Sequence, residues 1–348
     1  MAADSSQQSA QQTERQALLG FFDREQRDLP WRANRDPYPI WISEVMLQQT
    51  QVATVLPYYR AFLAAFPDVG ALAAAGIDEV LARWAGLGYY RRARQLHAAA
   101  LQIAAAGGFP RDAAGWLLLP GIGPYTAAAI ASQAFGEVVP VLDGNVERVL
   151  SRRLALAADP KRQATRRLLL AAAAELLDPQ RPGDANQAMM ELGAMVCRPR
   201  QPLCLLCPLA AGCRGKSSPE RYPAMAKARE TEKVELAMVR VRRGGAELFF
   251  RRPADAPFLA GMWELPTVPG GAAPAEIAAE LGRVYGGSFR LGERRKSFRH
   301  GITYRRIEIA VYDAEWSEGP AAGREPRWAD DAGRAALGLA AIYEKALA

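Results

Sequence analysis

The chain has 348 residues, a formal net charge of +7 and a hydrophobic fraction of 50%. This length predicts two domains that each bury a core, and the composition excludes a chain that stays disordered. The longest apolar runs are too short to cross a membrane, so we expect no membrane partner. The excess of positive charge favours a polyanionic partner.

The N-terminal end of the chain is polar and low in sequence complexity. We predict a disordered tail over residues 1–14, and this stretch lacks the apolar core of a secretory signal. Apolar residues at helical spacing predict a first helix from Thr13 to about Arg27. After the loop at Asp36-Pro37, the pattern predicts one long helix over residues 41–66.

A polar strip runs along this long helix. Glu44, Gln48 and Gln51 fall on one side of it, between apolar neighbours such as Leu47 and Val55, and should be partly buried. Burial disfavours the charged form of a carboxyl, so the pKa of Glu44 should rise and Glu44 could carry a proton near neutral pH. The alternative is a Glu on a solvated face.

The segment LPGIGPYTAAAI contains a glycine turn followed by helix-forming residues. Gly121 and Gly123 allow backbone conformations closed to other residues, and the helix that starts at Thr126 has unpaired N–H groups suited to a phosphate. Asp143 follows at a Leu-Asp-Gly corner before another helix. A phosphate site with a carboxylate nearby suggests chemistry on a nucleotide. The alternative is a plain turn, with Asp143 as an ordinary helix N-cap.

Further polar residues stand in helical patterns. The segment GLGYYRRARQLHAAA combines tyrosines with arginines, which suits base stacking and phosphate contact. Its alternative is a helix start with core tyrosines and a solvated Arg face, and we expect His97 to be a packed helix residue. Another helix is predicted over residues 161–178, and Glu191 lies inside the apolar helix pattern that follows.

The only cysteines of the chain are Cys197, Cys204, Cys207 and Cys213, with the spacing C-x6-C-x2-C-x5-C. Such clustering in a reducing compartment favours a metal site over disulfides. Four thiolates bind either Zn²⁺ or an iron–sulfur cluster, and the spacing differs from the commonest ferredoxin patterns. Spacing alone therefore leaves both metals open.

Composition changes after the cysteines. Residues 216–233 are rich in Ser, Pro, Lys and Glu, which indicates a linker. The pattern beyond predicts two strands around Gly244-Gly245, a helix in PAEIAAELGRVY and a strand in ITYRRIEIAVYDAEW. We therefore predict a small α+β domain over residues 234–348.

From about Leu29 onward the chain resembles adenine DNA glycosylases of the MutY type, within the helix-hairpin-helix glycosylase superfamily. The resemblance is carried by LPWR, SEVMLQQTQV, GLGYYRRARQLHAAA, LPGIGPYTAAAI, LDGNVERVL, NQAMMELGAMVC and the four cysteines. It implies a mostly α fold, with a two-lobed helical glycosylase domain over residues 15–215 that includes an iron–sulfur cluster loop. It also implies a [4Fe–4S] cluster on the cysteines and a Nudix-like C-terminal domain.

The resemblance implies base excision repair: hydrolytic removal of adenine mispaired with 8-oxoguanine or guanine in double-stranded DNA. Glu44 would protonate adenine, and Asp143 would stabilise the sugar cation. Tyr125 and Asn145 would hold Asp143 and the sugar. We expect a monomer acting in the cytoplasm, at the bacterial nucleoid.

The resemblance also assigns substrate contacts. Gly121 and Gly123 would bind DNA phosphate, and Glu191 would orient the adenine. The remaining residues expected to contact the base pair or its pocket are Trp31, Arg32, Gln48, Tyr89, Phe298, Arg299 and His300.

Three departures refine these expectations. Tyr125 stands where related strand-cleaving glycosylases have a lysine, so we predict base removal without efficient strand cleavage. Only Glu276 and Glu280 remain of a Nudix carboxylate cluster, so we expect no nucleotide hydrolysis. Arg299 replaces the usual Ser of a Phe-Ser-His motif, which bears on the preference for 8-oxoguanine.

Two other functions compete with this interpretation. The first is a superfamily enzyme acting on oxidised or mismatched pyrimidines, which Tyr125 and the C-terminal domain disfavour. The second is a noncatalytic iron–sulfur DNA-binding protein, which the joint presence of Glu44 and Asp143 disfavours.

Overall fold

The computed structural model describes residues 2–224, 230–253, 255–256, 259–302, 304–319 and 323–348. The chain divides into two compact units: Met1–Gln49 with Ala99–Lys227, and Thr50–Ala98 with Ala228–Ala348. The division at residue 227 falls inside the predicted linker 216–233. Residues 50–98, predicted to lie in the helical glycosylase domain, group instead with the C-terminal part of the chain.

The helices of the described residues are, in chain order, α1 (Ala2–Glu25), α2 (Pro37–Leu47), α3 (Val52–Ala65), α4 (Val69–Ala74), α5 (Ile77–Trp84), α6 (Arg91–Ala106), α7 (Ala113–Trp116), α8 (Pro124–Phe135), α9 (Gly144–Arg153), α10 (Gln163–Glu175), α11 (Pro182–Glu191), α12 (Pro274–Tyr285), α13 (Asp331–Ala335) and α14 (Ala341–Leu347). The strands are β1 (Glu232–Arg243), β2 (Ala246–Arg251), β3 (Trp263–Glu264), β4 (Thr267–Pro269), β5 (Ser288–Ile302), β6 (Arg305–Ser317) and β7 (Pro326–Ala329). A helix-rich chain with a C-terminal sheet confirms the predicted mix of elements.

The prediction of a disordered tail over residues 1–14 needs correction, because α1 begins at Ala2. The stretch is rich in Ala and Gln, which favour helix, and it has no Gly or Pro before Gly20. Near its middle, the Glu14 carboxylate forms an ion pair with Arg153. Low complexity therefore gave the wrong structure for a segment with good helix propensity.

The long helix predicted over residues 41–66 is in fact two helices. Helix α2 ends at Leu47 and α3 begins at Val52, with Gln49 at a φ of 58° between them. Gln51 is exposed at the N-cap position of α3, so it does not share a buried strip with Glu44 as predicted. Because the interruption contains neither Gly nor Pro, the sequence pattern did not indicate it.

Apolar helix faces build the core of the first unit. Helix α8 is buried from Thr126 to Gln133 and packs against α2 and α11, and α11 also packs against α1. Trp41 of α2 lies edge-on to Phe109 and 5.9 Å from Trp116 between ring centroids. This packing places α2, α8 and α11 side by side.

The second unit contains α3–α5 and the sheet. The strand order is β3-β2-β1-β6-β5, with β4 on β1 and β7 on β2, and only β1 and β6 run parallel among the described pairs. Gly244 and Gly245 both have positive φ, 55° and 84°, and close the predicted hairpin between β1 and β2. Helix α12 packs against β4 and β5. The sequence therefore predicted β1, β2, β6 and this helix, but it did not predict β5, the longest strand.

Contacts within the second unit join its two chain segments. The Tyr90 hydroxyl lies 3.4 Å from the Leu339 carbonyl, and Arg251 pairs with Asp78 at 2.8 Å. No helix in the described part of the chain is both long enough and apolar enough to cross a membrane.

Candidate active site

Glu44 is a buried acid on α2. Asp36 caps this helix by accepting a hydrogen bond from the Tyr38 N–H at 2.9 Å, with Pro37 at the first helical position. The Glu44 residue is only 6% exposed, and its Oε1 accepts a hydrogen bond from Nε2 of Gln133 at 3.1 Å. Burial raises the pKa of Glu44, while the hydrogen bond from Gln133 and the nearby Tyr125 hydroxyl partly counteract the rise. The predicted buried position is confirmed.

The glycine turn leads into α8 and positions Tyr125. Gly121 has a φ of 78°, and Gly123 is the N-cap, so α8 begins at Pro124 and not at the predicted Thr126. The Tyr125 hydroxyl donates to Sδ of Met190 at 3.1 Å. Burial raises the pKa of Tyr125 far above its usual value, and the charges of Glu44 and Asp143 raise it further. Tyr125 therefore interacts with both carboxyl groups.

Asp143 caps α9 and belongs to the same site. Its Oδ1 accepts from the Val146 N–H at 2.8 Å, and its Oδ2 accepts from Nδ2 of Asn145 at 3.0 Å. The N-cap interpretation is therefore correct, and it is compatible with a role in the site. Burial raises the pKa of Asp143, whereas the bonds from Val146 and Asn145 and the charge of Arg148 lower it. The charge of Asp143 in turn raises the pKa of Glu44.

A chain of hydrogen bonds continues from Asp143 to the cysteine loop. Arg148 donates from Nη2 to Asn145 Oδ1 at 3.0 Å and to the Gly193 carbonyl at 2.9 Å, and from Nε to the Cys197 carbonyl at 2.9 Å. Gly193 lies in a π-helical turn, Leu192–Val196, and a Cβ there would lie 2.6 Å from the Asn145 Cβ. The turn and the start of α9 are thus held in close contact.

Glu191 forms a buried ion-pair cluster at the end of α11. It is 1% exposed, and it pairs with Arg32 at 2.6 Å and with Arg27 at 2.9 Å. Arg32 also donates from Nε to Gln187 at 2.7 Å, and the neighbouring Trp31 is buried. The charge of Arg32 lowers the pKa of Glu44, so this cluster acts on the same acid.

Gln48 joins the same unit, because its Nε2 donates to Thr126 Oγ1 at 3.2 Å. Tyr89 and the predicted recognition residues Phe298, Arg299 and His300 lie in the second unit. Tyr89 is 45% exposed with a φ of 50°, and the guanidinium of Arg92 lies 5.3 Å from its ring centroid.

The predicted recognition segment lies on β5. Phe298 and His300 are half-buried, whereas Arg299 is exposed and pairs with Glu308 at 2.9 Å. Alternation along the strand therefore turns Arg299 to the opposite face from its two neighbours. Burial and the charge of Lys345 lower the pKa of His300.

The two remaining Nudix-type carboxylates have local partners. Glu276 Oε2 accepts from the Ala273 N–H at the start of α12 at 3.4 Å, and Glu280 pairs with Arg283 at 2.5 Å.

The four cysteines line one small cavity together with Arg152 and Lys216. Arg152 donates to the Cys197 Sγ at 3.4 Å and to the Arg198 carbonyl at 2.6 Å. Burial raises the pKa of Cys207 to about 11, and the other three cysteines add to the rise. Among the described residues, no three His, Cys, Asp or Glu side chains stand at metal-binding distances. The donor set suits a thiolate-bound metal that would displace these protons on binding.

Sequence reasoning missed three residues of this site. Gln133, Arg27 and Arg148 contact Glu44, Glu191 and Asn145 respectively. A Gln within the Ala-rich run of α8 was a visible signal for the first, because a polar residue on a buried helix needs a partner.

The fold and site agree with comparisons to known proteins. A model of the HhH-GPD superfamily of base excision DNA repair proteins matches residues 42–174, which defines the class. The chain is 48% identical over 223 residues to the adenine DNA glycosylase of Homo sapiens, covering 61% of this chain and 41% of that protein. It is 38% identical over 382 residues to the adenine DNA glycosylase of Mus musculus, covering 90% and 74% respectively.

The structure of a thermostable thymine-DNA glycosylase matches with a TM-score of 0.55 at 28% identity, over 61% of this chain and 98% of that one. The chain spans less than half the length of its human relative. It belongs to the adenine DNA glycosylase family.

Proposed function

We propose that this chain is a DNA glycosylase that hydrolyses the N-glycosidic bond of adenine mispaired with 8-oxoguanine or guanine in duplex DNA. The observation that carries the proposal is the cluster of Glu44, Tyr125 and Asp143. In it, a buried acid and a carboxylate that caps a helix both interact with the same phenol. The names of the relatives support adenine as the base. The relatives at 38–49% identity are named adenine DNA glycosylases, and these names do not favour the pyrimidine alternative.

Glu44 is proposed as the general acid. A base that is to be excised must leave the stack to reach a buried group. Protonation of adenine at N7 turns the base into a better leaving group, which requires a carboxyl that still holds its proton near neutral pH. Burial of Glu44 in the α2–α8 contact favours the protonated form, since it raises the pKa of the side chain.

Asp143 is proposed as the ionised partner that stabilises or captures the sugar cation. It accepts hydrogen bonds from Val146 and Asn145 at the positive end of α9, which favour its charged form. Opposed protonation of two carboxyls is the arrangement used by retaining glycosidases. After the base leaves, the ionised Glu44 would accept a proton from the attacking water.

Tyr125 accounts for the proposed restriction to base removal. A phenol cannot form a Schiff base with the sugar, and a strand-cleaving lyase needs an amine for that step. Tyr125, together with Asn145, is instead proposed to hold Asp143 and the sugar in place.

We also propose that Cys197, Cys204, Cys207 and Cys213 hold a [4Fe–4S] cluster. Their lining of one cavity supports a four-thiolate site, for which Zn²⁺ is the other candidate. When bound, the cluster would supply cross-links that fix the loop. Iron and acid-labile sulfide in anaerobically purified protein, together with visible absorption, would distinguish the cluster from zinc.

The remaining site residues are proposed as contacts to DNA. Trp31, Arg32 and Glu191 would line the adenine pocket, and the Gly121–Gly123 turn would bind phosphate. Gln48 and Tyr89 would enter the duplex. The C-terminal domain, with Phe298, Arg299 and His300, would read the base opposite adenine. We expect a cytoplasmic monomer.

The test is incubation of the purified chain with duplexes carrying adenine opposite 8-oxoguanine, guanine, cytosine or thymine. Free adenine and an alkali-labile abasic site should form with the first two only. Strand scission without alkali would contradict the role given to Tyr125. Equal rates opposite 8-oxoguanine and guanine would mean that the chain does not prefer 8-oxoguanine as the opposite base.

A further inference from the structure

Gln133 is the buried polar residue of the site to which no role has yet been given. It lies near the end of α8 and is 8% exposed, in a helix where four of the eight buried residues are alanines. Its amide nitrogen lies 3.1 Å from Oε1 of Glu44. The amide nitrogen can only donate, so Oε1 of Glu44 is the acceptor in this hydrogen bond.

Packing fixes both partners of this hydrogen bond. Gln133 lies two helical turns after Thr126 on α8, and Gln48 lies one turn after Glu44 in the chain. The Gln133 amide donates to Glu44, and the Gln48 amide donates to Thr126. Helices α2 and α8 are therefore joined at two polar contacts. From the other side, Gly183 at the start of α11 presses on α8, since a Cβ there would lie 2.8 Å from the Gln133 Cα. The backbone that carries Gln133 is therefore held closely against α11.

We propose that Gln133 is a positioning residue for the acid step: its amide keeps Oε1 of Glu44 as a hydrogen-bond acceptor, so that the transferable proton resides on Oε2. A carboxylic acid accepts hydrogen bonds at its carbonyl oxygen and carries its proton on the other oxygen. Without the amide, both oxygens could hold the proton, and only one arrangement would suit transfer to the base. This inference rests on the proposed glycosylase function.

The same contact adjusts how tightly Glu44 holds its proton. The groups that act on its carboxyl are Gln133, Tyr125, Asp143 and Arg32, in addition to burial. The hydrogen bond from Gln133 is the largest influence that lowers the pKa of Glu44. Its loss should therefore raise that pKa and extend the acid form to higher pH.

The experiment measures single-turnover excision of adenine opposite 8-oxoguanine against pH, in wild type and Gln133→Met. Excision requires protonated Glu44, so the rate falls as pH rises through its pKa. The variant should have a lower plateau, and its alkaline limb should move up by about one pH unit, which is about tenfold in proton affinity. Gln133→Asn has a side chain one methylene shorter, so its amide should not reach Glu44 and the alkaline limb should shift in the same direction. This second variant replaces Gln133→Met if that variant does not fold.

Ser132→Ala is the matched control on the same helix. Ser132 is buried, donates to the Ala129 carbonyl and accepts from Asn186, and has no contact with Glu44 among the described bonds. It should lower stability without moving the alkaline limb. The inference would be overturned if the alkaline limb of both Gln133 variants lay at the same pH as that of wild type, or at a lower pH. Failure of the wild type to release adenine would instead overturn the proposed function.

Discussion

Arg148 offers a test of how the cysteine loop and the Asp143 carboxylate are connected. Its guanidinium satisfies Asn145, the Gly193 carbonyl and the Cys197 carbonyl at 2.9–3.0 Å. Arg148→Met removes all three donors and leaves partly buried acceptors without them. At about 1 kcal/mol for each lost bond, the free energy of unfolding should fall by about 3 kcal/mol.

The activity of Arg148→Met should fall as well, because Asn145 would no longer be held against Asp143. A misplacement of a catalytic group by about 1 Å costs about 100-fold in rate. Urea unfolding and single-turnover adenine excision measure the two effects. Arg148→Lys keeps the charge but not the planar fork, and should fall between wild type and Arg148→Met.

Arg166→Met is the control for this experiment. Arg166 pairs with Glu147 at 3.3 Å near the surface, so its loss should cost less than about 1 kcal/mol. If Arg148→Met matched this control in both its urea midpoint and its excision rate, the proposed connection through Arg148 would be wrong.

Four further predictions follow from the same site. Glu191→Gln should destabilise the protein by about 3 kcal/mol, because Arg32 loses its buried counter-charge, and an unchanged urea midpoint would contradict this. Tyr125→Lys should gain strand scission that borohydride can trap, and its absence would count against the placement of this residue. Cys207→Ser should purify with less iron than wild type; equal iron would exclude Cys207 as a ligand. The pKa of Glu44 is higher in the folded chain than in the unfolded chain, where it is near 4.5. The stability that this difference contributes is complete below the unfolded pKa and is lost as pH rises through the folded pKa. Glu44→Gln should therefore become more stable than wild type above the folded pKa, as measured by urea unfolding at a series of pH values.

Local patterns gave the parts of the fold that depend on local physics. The glycines at Gly121 and Gly244-Gly245 indicated a turn and a hairpin, because glycine readily adopts positive φ. The structure has positive φ at all three residues. The interruption between α2 and α3 was missed, because it contains no Gly or Pro that would mark a break. Gln49 nevertheless adopts a φ of 58° there. The part of α1 that precedes Thr13 was missed because low complexity was given more weight than helix propensity.

Partners distant in sequence explain what else could not be predicted. Gln133 contacts Glu44 across 89 residues, and Arg27 contacts Glu191 across 164. No periodicity within one helix indicates which distant helix it will meet. The grouping of residues 50–98 with the C-terminal part of the chain is a long-range property of the same kind.

The central claim is that Glu44 acts as the protonated group and Asp143 as the ionised one during adenine release. Its most direct test is the pH dependence of single-turnover excision from an adenine–8-oxoguanine duplex by wild type, Glu44→Gln and Asp143→Asn. We predict a bell-shaped wild-type profile, limited at low pH by Asp143 and at high pH by Glu44, and a loss of about 10²–10⁴-fold in each variant. Excision at the wild-type rate by either variant would contradict the claim.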